Sequence, residues 1–226
     1  MKKLLALLLA AMLGVSLAFC LTSCEDEEET GSEGGEIVGG WSVPASVKVT
    51  DAAVNALKKA TEKLAGGTYE PIALLGTQVV AGTNYRLLCT FTPATEGADA
   101  SYTIVTVYED LEGNAEITEI LTSDAKVNVT AEVIDGGWAA PETPDVTGEA
   151  GKALQEAVAN LVGAQYNPLA LIGTQVVAGT NYCLLCEITP VVENPEPHYA
   201  VVTVYEGADG TTSVVETFDF AAEATE

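Results

Sequence analysis

Gln78-Val79-Val80-Ala81-Gly82 has the residue types of a contact surface rather than of a reaction centre. Two β-branched apolar side chains and an alanine lie between Gly76 and Gly82, with the strand-like runs Pro71–Leu75 before and Tyr85–Cys89 after. That arrangement reads as a hairpin. Hairpin tips are normally polar and turn-forming, whereas glycines permit a sharp reversal and the close approach of another backbone. Val79 and Val80 therefore either fold back into a core or stand exposed, and an exposed apolar tip marks a binding surface. Gln78 to Tyr85 recurs intact as Gln175-Val176-Val177-Ala178-Gly179-Thr180-Asn181-Tyr182.

Catalytic chemistry finds little to work with. The chain has one histidine, His198, with no partner motif around it, so no nucleophile–base set emerges and no enzyme is expected. No cofactor motif or metal-ligand cluster stands out. A net charge of −24 argues against binding a phosphate backbone.

The elements that must hold the tips also occur twice. Trp41 pairs with Trp138, and all 8 tyrosines pair at the same offset, Tyr69 with Tyr166 and Tyr108 with Tyr205 among them. Thr50 can cap a helix over about 51–64, with Val54, Leu57, Ala60 and Leu64 as its apolar stripe and Gly66-Gly67 as its stop. Thr147 opens the second helix, with Leu154, Ala157, Val158 and Leu161 and a stop at Gly163. Only strand signals follow: 69–75, 83–92, 101–108 and 115–121, then 166–172, 180–189, 199–205 and 211–218. The expected class is α+β, as two tandem domains, each one helix packed across an antiparallel sheet around its own closed core. The copies span 37–122 and 134–226. Residues 123–133 between them, where valines alternate, are a linker or an extra strand.

The repeated octapeptide resembles the first binding loop of the cystatins and stefins, protein inhibitors of papain-like cysteine proteases. The resemblance implies the same helix-then-meander order and a function by occlusion. Three parts wedge into the protease cleft: an N-terminal trunk ending in glycine, the first hairpin loop and a second hairpin loop. Carried over, the first trunk is Val38-Gly39-Gly40 with Trp41 beside it, and the first loop is Gln78-Val79-Val80-Ala81-Gly82. The second copy offers Gly136-Gly137 with Trp138, and Gln175-Val176-Val177-Ala178-Gly179. Each tryptophan either adds apolar contact surface or closes the open end of a core. The second loops, 109–114 and 206–210, are acidic and lack the Pro-Trp pair of secreted cystatins, as stefins do. The implied partner is a papain-like cysteine protease, one per copy, bound by a monomer. The family's binding mode puts the residue before the trunk glycine in an apolar pocket. Val38 suits that pocket and Asp135 does not, so the first copy is expected to inhibit more strongly. The alternative is a non-inhibitory cell-surface protein-binding module on the same fold.

Residues 1–23 read as an export signal, with Lys2-Lys3 before an apolar run to Leu21. Leu21-Thr22-Ser23-Cys24 resembles a bacterial lipoprotein lipobox, which implies cleavage before Cys24, lipidation of that residue and attachment at the bacterial cell envelope or surface. An uncleaved membrane helix is the other reading. The acidic, Gly- and Ser-containing stretch 24–36 is a flexible tether. Cys89 and Cys186 fall at equivalent strand positions and are expected in the core. Strand alternation turns Cys183, which stands where the first copy has Arg86, toward solvent.

Overall fold

The computed structural model describes residues 39–130 and 135–222. Its elements run β1 (Trp41–Ser42), α1 (Asp51–Thr61), β2 (Gly67–Val80), β3 (Gly82–Pro93), β4 (Ser101–Glu109) and β5 (Ala115–Lys126). There follow β6 (Val129–Thr130), β7 (Trp138–Ala139), α2 (Gly148–Val158), β8 (Ala164–Val177), β9 (Gly179–Pro190), β10 (His198–Gly207) and β11 (Thr212–Ala222).

The helices start where their caps predict. Thr50 Oγ1 accepts from the Ala53 N–H at 3.3 Å, and Thr147 Oγ1 accepts from the Ala150 N–H at 3.2 Å, each satisfying one orphan donor of a first turn. The buried stripes are smaller than expected. Ala53, Ala56 and Leu57 face the sheet from α1, and Ala150, Ala153 and Leu154 from α2, while Leu64 and Leu161 lie beyond the helices and are exposed. Alanine lets a helix lie close to the strands beneath it.

Two separately closed helix-on-sheet domains do not form. Among the described residues all 11 strands join one sheet, in the order β1-β2-β3-β4-β5-β11-β10-β9-β8-β7-β6. Every pairing is antiparallel except β6 with β7. The seam is β5 against β11, with Ser123 opposite Phe220, Thr122 opposite Ala221 and Leu121 opposite Ala222. The sheet curls so that the helix-free faces of its two halves meet. Leu75, Leu88 and Ile104 from one half and Ile172, Leu185 and Phe220 from the other share a single core cluster. Each helix covers a second cluster on the opposite face of its own half, around Leu87 and Val105 for α1 and around Leu184 and Val202 for α2.

The physical reason lies in adjacent apolar pairs. Leu87-Leu88, Ile104-Val105, Leu184-Leu185 and Val201-Val202 point successive side chains to opposite faces, so both faces of the central strands must be buried. The helix buries one face and the other copy buries the second.

Cys183 shows the consequence. Its alternation is as expected, opposite Leu184 and Cys186, but its face is the covered one and it is 8% exposed rather than outward. Cys89 and Cys186 are fully buried. The link between the copies contributes the short strand β6, parallel to β7. Among the described residues no helix is long and apolar enough to cross a membrane.

Candidate functional site

The first tip is shorter than its sequence reads. β2 continues past Gly76 to Val80 and β3 begins at Gly82, so Ala81 alone turns the chain, and Val177, Ala178 and Gly179 repeat this. Gly82 has φ +136° and Gly179 φ +150°, values that side-chain-bearing residues rarely adopt. A Cβ on Gly82 would collide with the Glu109 carbonyl oxygen and reach within 2.8 Å of the Tyr108 ring. The glycine thus admits the protein's own β4, which leads into the second hairpin.

Three hydrogen bonds tie trunk, first tip and second hairpin together, and a fourth orients Gln78. Gln78 Nε2 donates to the Gly39 carbonyl at 3.0 Å, and the Gly39 N–H donates to the Val79 carbonyl at 2.9 Å. Asn84 Nδ2 donates to Gln78 Oε1 at 2.8 Å and so orients that side chain. The Tyr108 hydroxyl donates to the Ala81 carbonyl at 2.6 Å. The second copy repeats the side-chain set: Gln175 to Gly136 at 2.8 Å, Asn181 to Gln175 at 2.7 Å and Tyr205 to Ala178 at 2.8 Å. Gln78 and Gln175 are therefore spent inside the site. The groups left for a partner are apolar: Val80 is 42% exposed, Val176 71% and Val177 44%, with Ala81 and Ala178 exposed beside them and Val79 half-buried.

The second hairpin of the first copy is braced from below. Lys59, in the last turn of α1, donates to the Gly113 carbonyl at 2.9 Å and to Glu109 Oε1 at 2.8 Å. The Asn114 amide bonds Asp110, and that bond holds the Asp110 carboxyl below the usual carboxylate range. Asp209 is lowered in the same way by the Thr211 hydroxyl. Although the loop is acidic, Leu111 stands 81% exposed in it, where the second copy has Ala208.

Gly40 is half-buried next to Trp41, which pairs with Gln78 in β1–β2, and Gly137 and Trp138 sit likewise beside Gln175. Trp41 is 37% exposed and lies under the Arg86 guanidinium, 4.1 Å from its ring centroid, whereas Trp138 packs against the core between the copies. Each tryptophan covers a glycine of the neighbouring strand, Gly76 or Gly173. Val38 and Cys24, with the signal and tether segments, lie outside the described residues.

The two assembled ends do not come together. β5 and β11 pair antiparallel near their C-terminal ends, so the hairpin ends at Ala115 and Thr212 point in opposite directions. At ~3.3 Å per residue, the path from Ala115 to the seam and on to Thr212 is on the order of 50 Å. Nothing in the residue types of Asn84, Tyr108, Lys59 and Leu111 marks them as site residues, although Asn84 and Tyr108 recur as Asn181 and Tyr205.

Comparison of the chain with protein-family models gives no match, and comparison with curated protein sequences gives none either. The likeness to a protease-inhibitor loop rests on the repeated octapeptide and its setting.

Proposed function

We propose that this protein is a reversible inhibitor of papain-like cysteine proteases that acts by wedging each end of the molecule into an active-site cleft. The observation that carries the reading is the hydrogen-bonded union of trunk, first tip and second hairpin, present in both copies. Such a set offers a preorganised apolar edge, so little ordering entropy is lost on binding. Occlusion of this kind needs exposed small apolar groups, and Val80, Ala81, Val176 and Val177 supply them. Opposed ends give room for two proteases on one chain. We further propose export and lipid attachment through Cys24, which membrane partitioning of Cys24→Ala would test.

The deciding experiment titrates the active sites of a papain-type enzyme with the full chain and with Val80→Asp, Val177→Asp and the double variant. These positions are exposed, so circular dichroism should match the wild type. The wild type should block about two enzyme molecules, each single variant about one, and the double variant none. A protease left fully active by saturating wild type would overturn inhibition and leave the binding-module alternative.

A further inference from the structure

In the first copy the Arg86 guanidinium occupies a defined cage. It lies 4.1 Å from the Trp41 ring centroid and 6.0 Å from that of Tyr199. Its Nη1 donates to the Tyr199 hydroxyl at 3.2 Å, its Nη2 approaches Glu119 Oε2 at 3.5 Å, and its Nε approaches Thr106 Oγ1 at 3.5 Å. Thr106 in turn donates to the same Glu119 oxygen at 3.1 Å. A ring face, a hydroxyl, a threonine and a carboxylate thus surround a planar cation, the arrangement that guanidinium geometry favours.

The equivalent set of residues recurs without the arginine, with Val129 of β6 added beside Trp138. Trp138 stands for Trp41, Tyr102 for Tyr199, Thr203 for Thr106 and Glu216 for Glu119, and Cys183 stands for Arg86. The sheet register supports the correspondence: Thr106 lies opposite Glu119 and Thr203 opposite Glu216, while Arg86 lies opposite Thr106 and Cys183 opposite Thr203. All five of these residues, Tyr102 from the first copy and the other four from the second, line one cavity of ≈ 310 Å³. That size is at the small end of ligand pockets, ~300–1,000 Å³. Glu216 makes no ion pair among the described residues. Lys126 on the rim is paired with Asp99, and Asp124 adds a second carboxylate to the lining.

We propose that this cavity is a binding site for an alkylguanidinium group, which would stack on Trp138 and pair with Glu216 where the first copy uses its own Arg86. Cys183 is short and neutral where the arginine stands in the first copy, and although Val129 of β6 takes part of the room over Gly173, a cavity remains beside Trp138 and Glu216. The cavity shares Trp138 with the second copy's edge, where that residue pairs with Gln175, but the proposal does not depend on protease binding. A free small molecule and an arginine side chain present the same group.

The test follows backbone and Trp138 indole NMR signals of the full chain during titration with N-acetyl-arginine amide. Saturable shifts should centre on Trp138, Thr203 and Glu216. The neutral citrulline analogue should bind at least tenfold more weakly. Glu216→Gln, at an exposed position, should weaken binding at least fivefold. Cys183→Arg should supply the cation from within and abolish the shifts, and Arg86→Cys should create a second responsive set around Trp41. Agmatine run in parallel distinguishes a small-molecule source, if it binds more tightly, from an arginine side chain. No saturable shift in the wild type, or equal affinity for the citrulline analogue and in Glu216→Gln, would overturn the proposal. If Cys183→Arg does not fold, Glu216→Gln decides alone.

Discussion

The Tyr108 hydroxyl bonds the Ala81 carbonyl, joining the end of β4 to the turn between β2 and β3, and Tyr205 bonds Ala178 in the same way. Each bond couples two hairpins that sequence order alone would leave independent. Tyr108→Phe removes a bond at an exposed carbonyl that water can then satisfy, a loss of about 1 kcal/mol. The urea midpoint should fall by roughly 0.3–1 M. Dissociation of a bound papain-type enzyme from that end should quicken several-fold, measured in a Val177→Asp background so that only the first copy acts. An unchanged rate would show that the coupling does not serve binding.

Gly82→Ala combines positive φ with a collision against the Glu109 carbonyl. Gly39 also has positive φ, +84°, but nothing lies within 4 Å of a Cβ there. Gly82→Ala should therefore cost roughly 1–3 kcal/mol or displace the second hairpin, and Gly39→Ala distinctly less. Chemical denaturation of both variants measures the difference, and equal losses would contradict the packing described.

Burial pushes the thiols of Cys183 and Cys186 up to about 12, and that of Cys89 upward as well. Below pH 9, the ordinary value, folded and unfolded chains both keep these protons and the contribution to stability is fully present. As pH rises from there toward the folded values, only the unfolded chain releases them, so stability falls. Urea midpoints should drop above pH 9. Iodoacetamide at pH 8 should modify Cys89, Cys183 and Cys186 at the rate of unfolding. Fast modification of Cys183 in the native protein would contradict its burial.

A fragment ending near residue 122 would expose Leu75, Leu88 and Ile104, which the second copy covers. At roughly 1.5–3 kcal/mol per large apolar side chain, that loss exceeds what a small half-molecule can spare. The fragment should aggregate or dimerise in size-exclusion chromatography, whereas the full chain should unfold in one transition. A well-folded monomeric fragment would show that the shared core is dispensable.

Local features were legible because their causes are local. The cap threonines, the order of one helix and four strands per copy, the hairpins that carry the valines and the alternation of Leu184 and Cys186 against Cys183 all follow from backbone chemistry and a period of two. The helix stripes differ from the sequence pattern because Val54 and Leu64 are more hydrophobic than the alanines, while close helix–sheet packing selects small residues. Whether the copies close alone or share a core depends on what covers each strand's second face. Adjacent pairs such as Leu87-Leu88 and Val201-Val202 indicated that something must cover it, but no single strand names its covering partner. That partner is chosen by the β5–β11 seam and by the meeting of faces distant in sequence. The same contact buries Cys183, places the two ends on opposite sides, and sets an arginine in one cage and a cysteine in its counterpart.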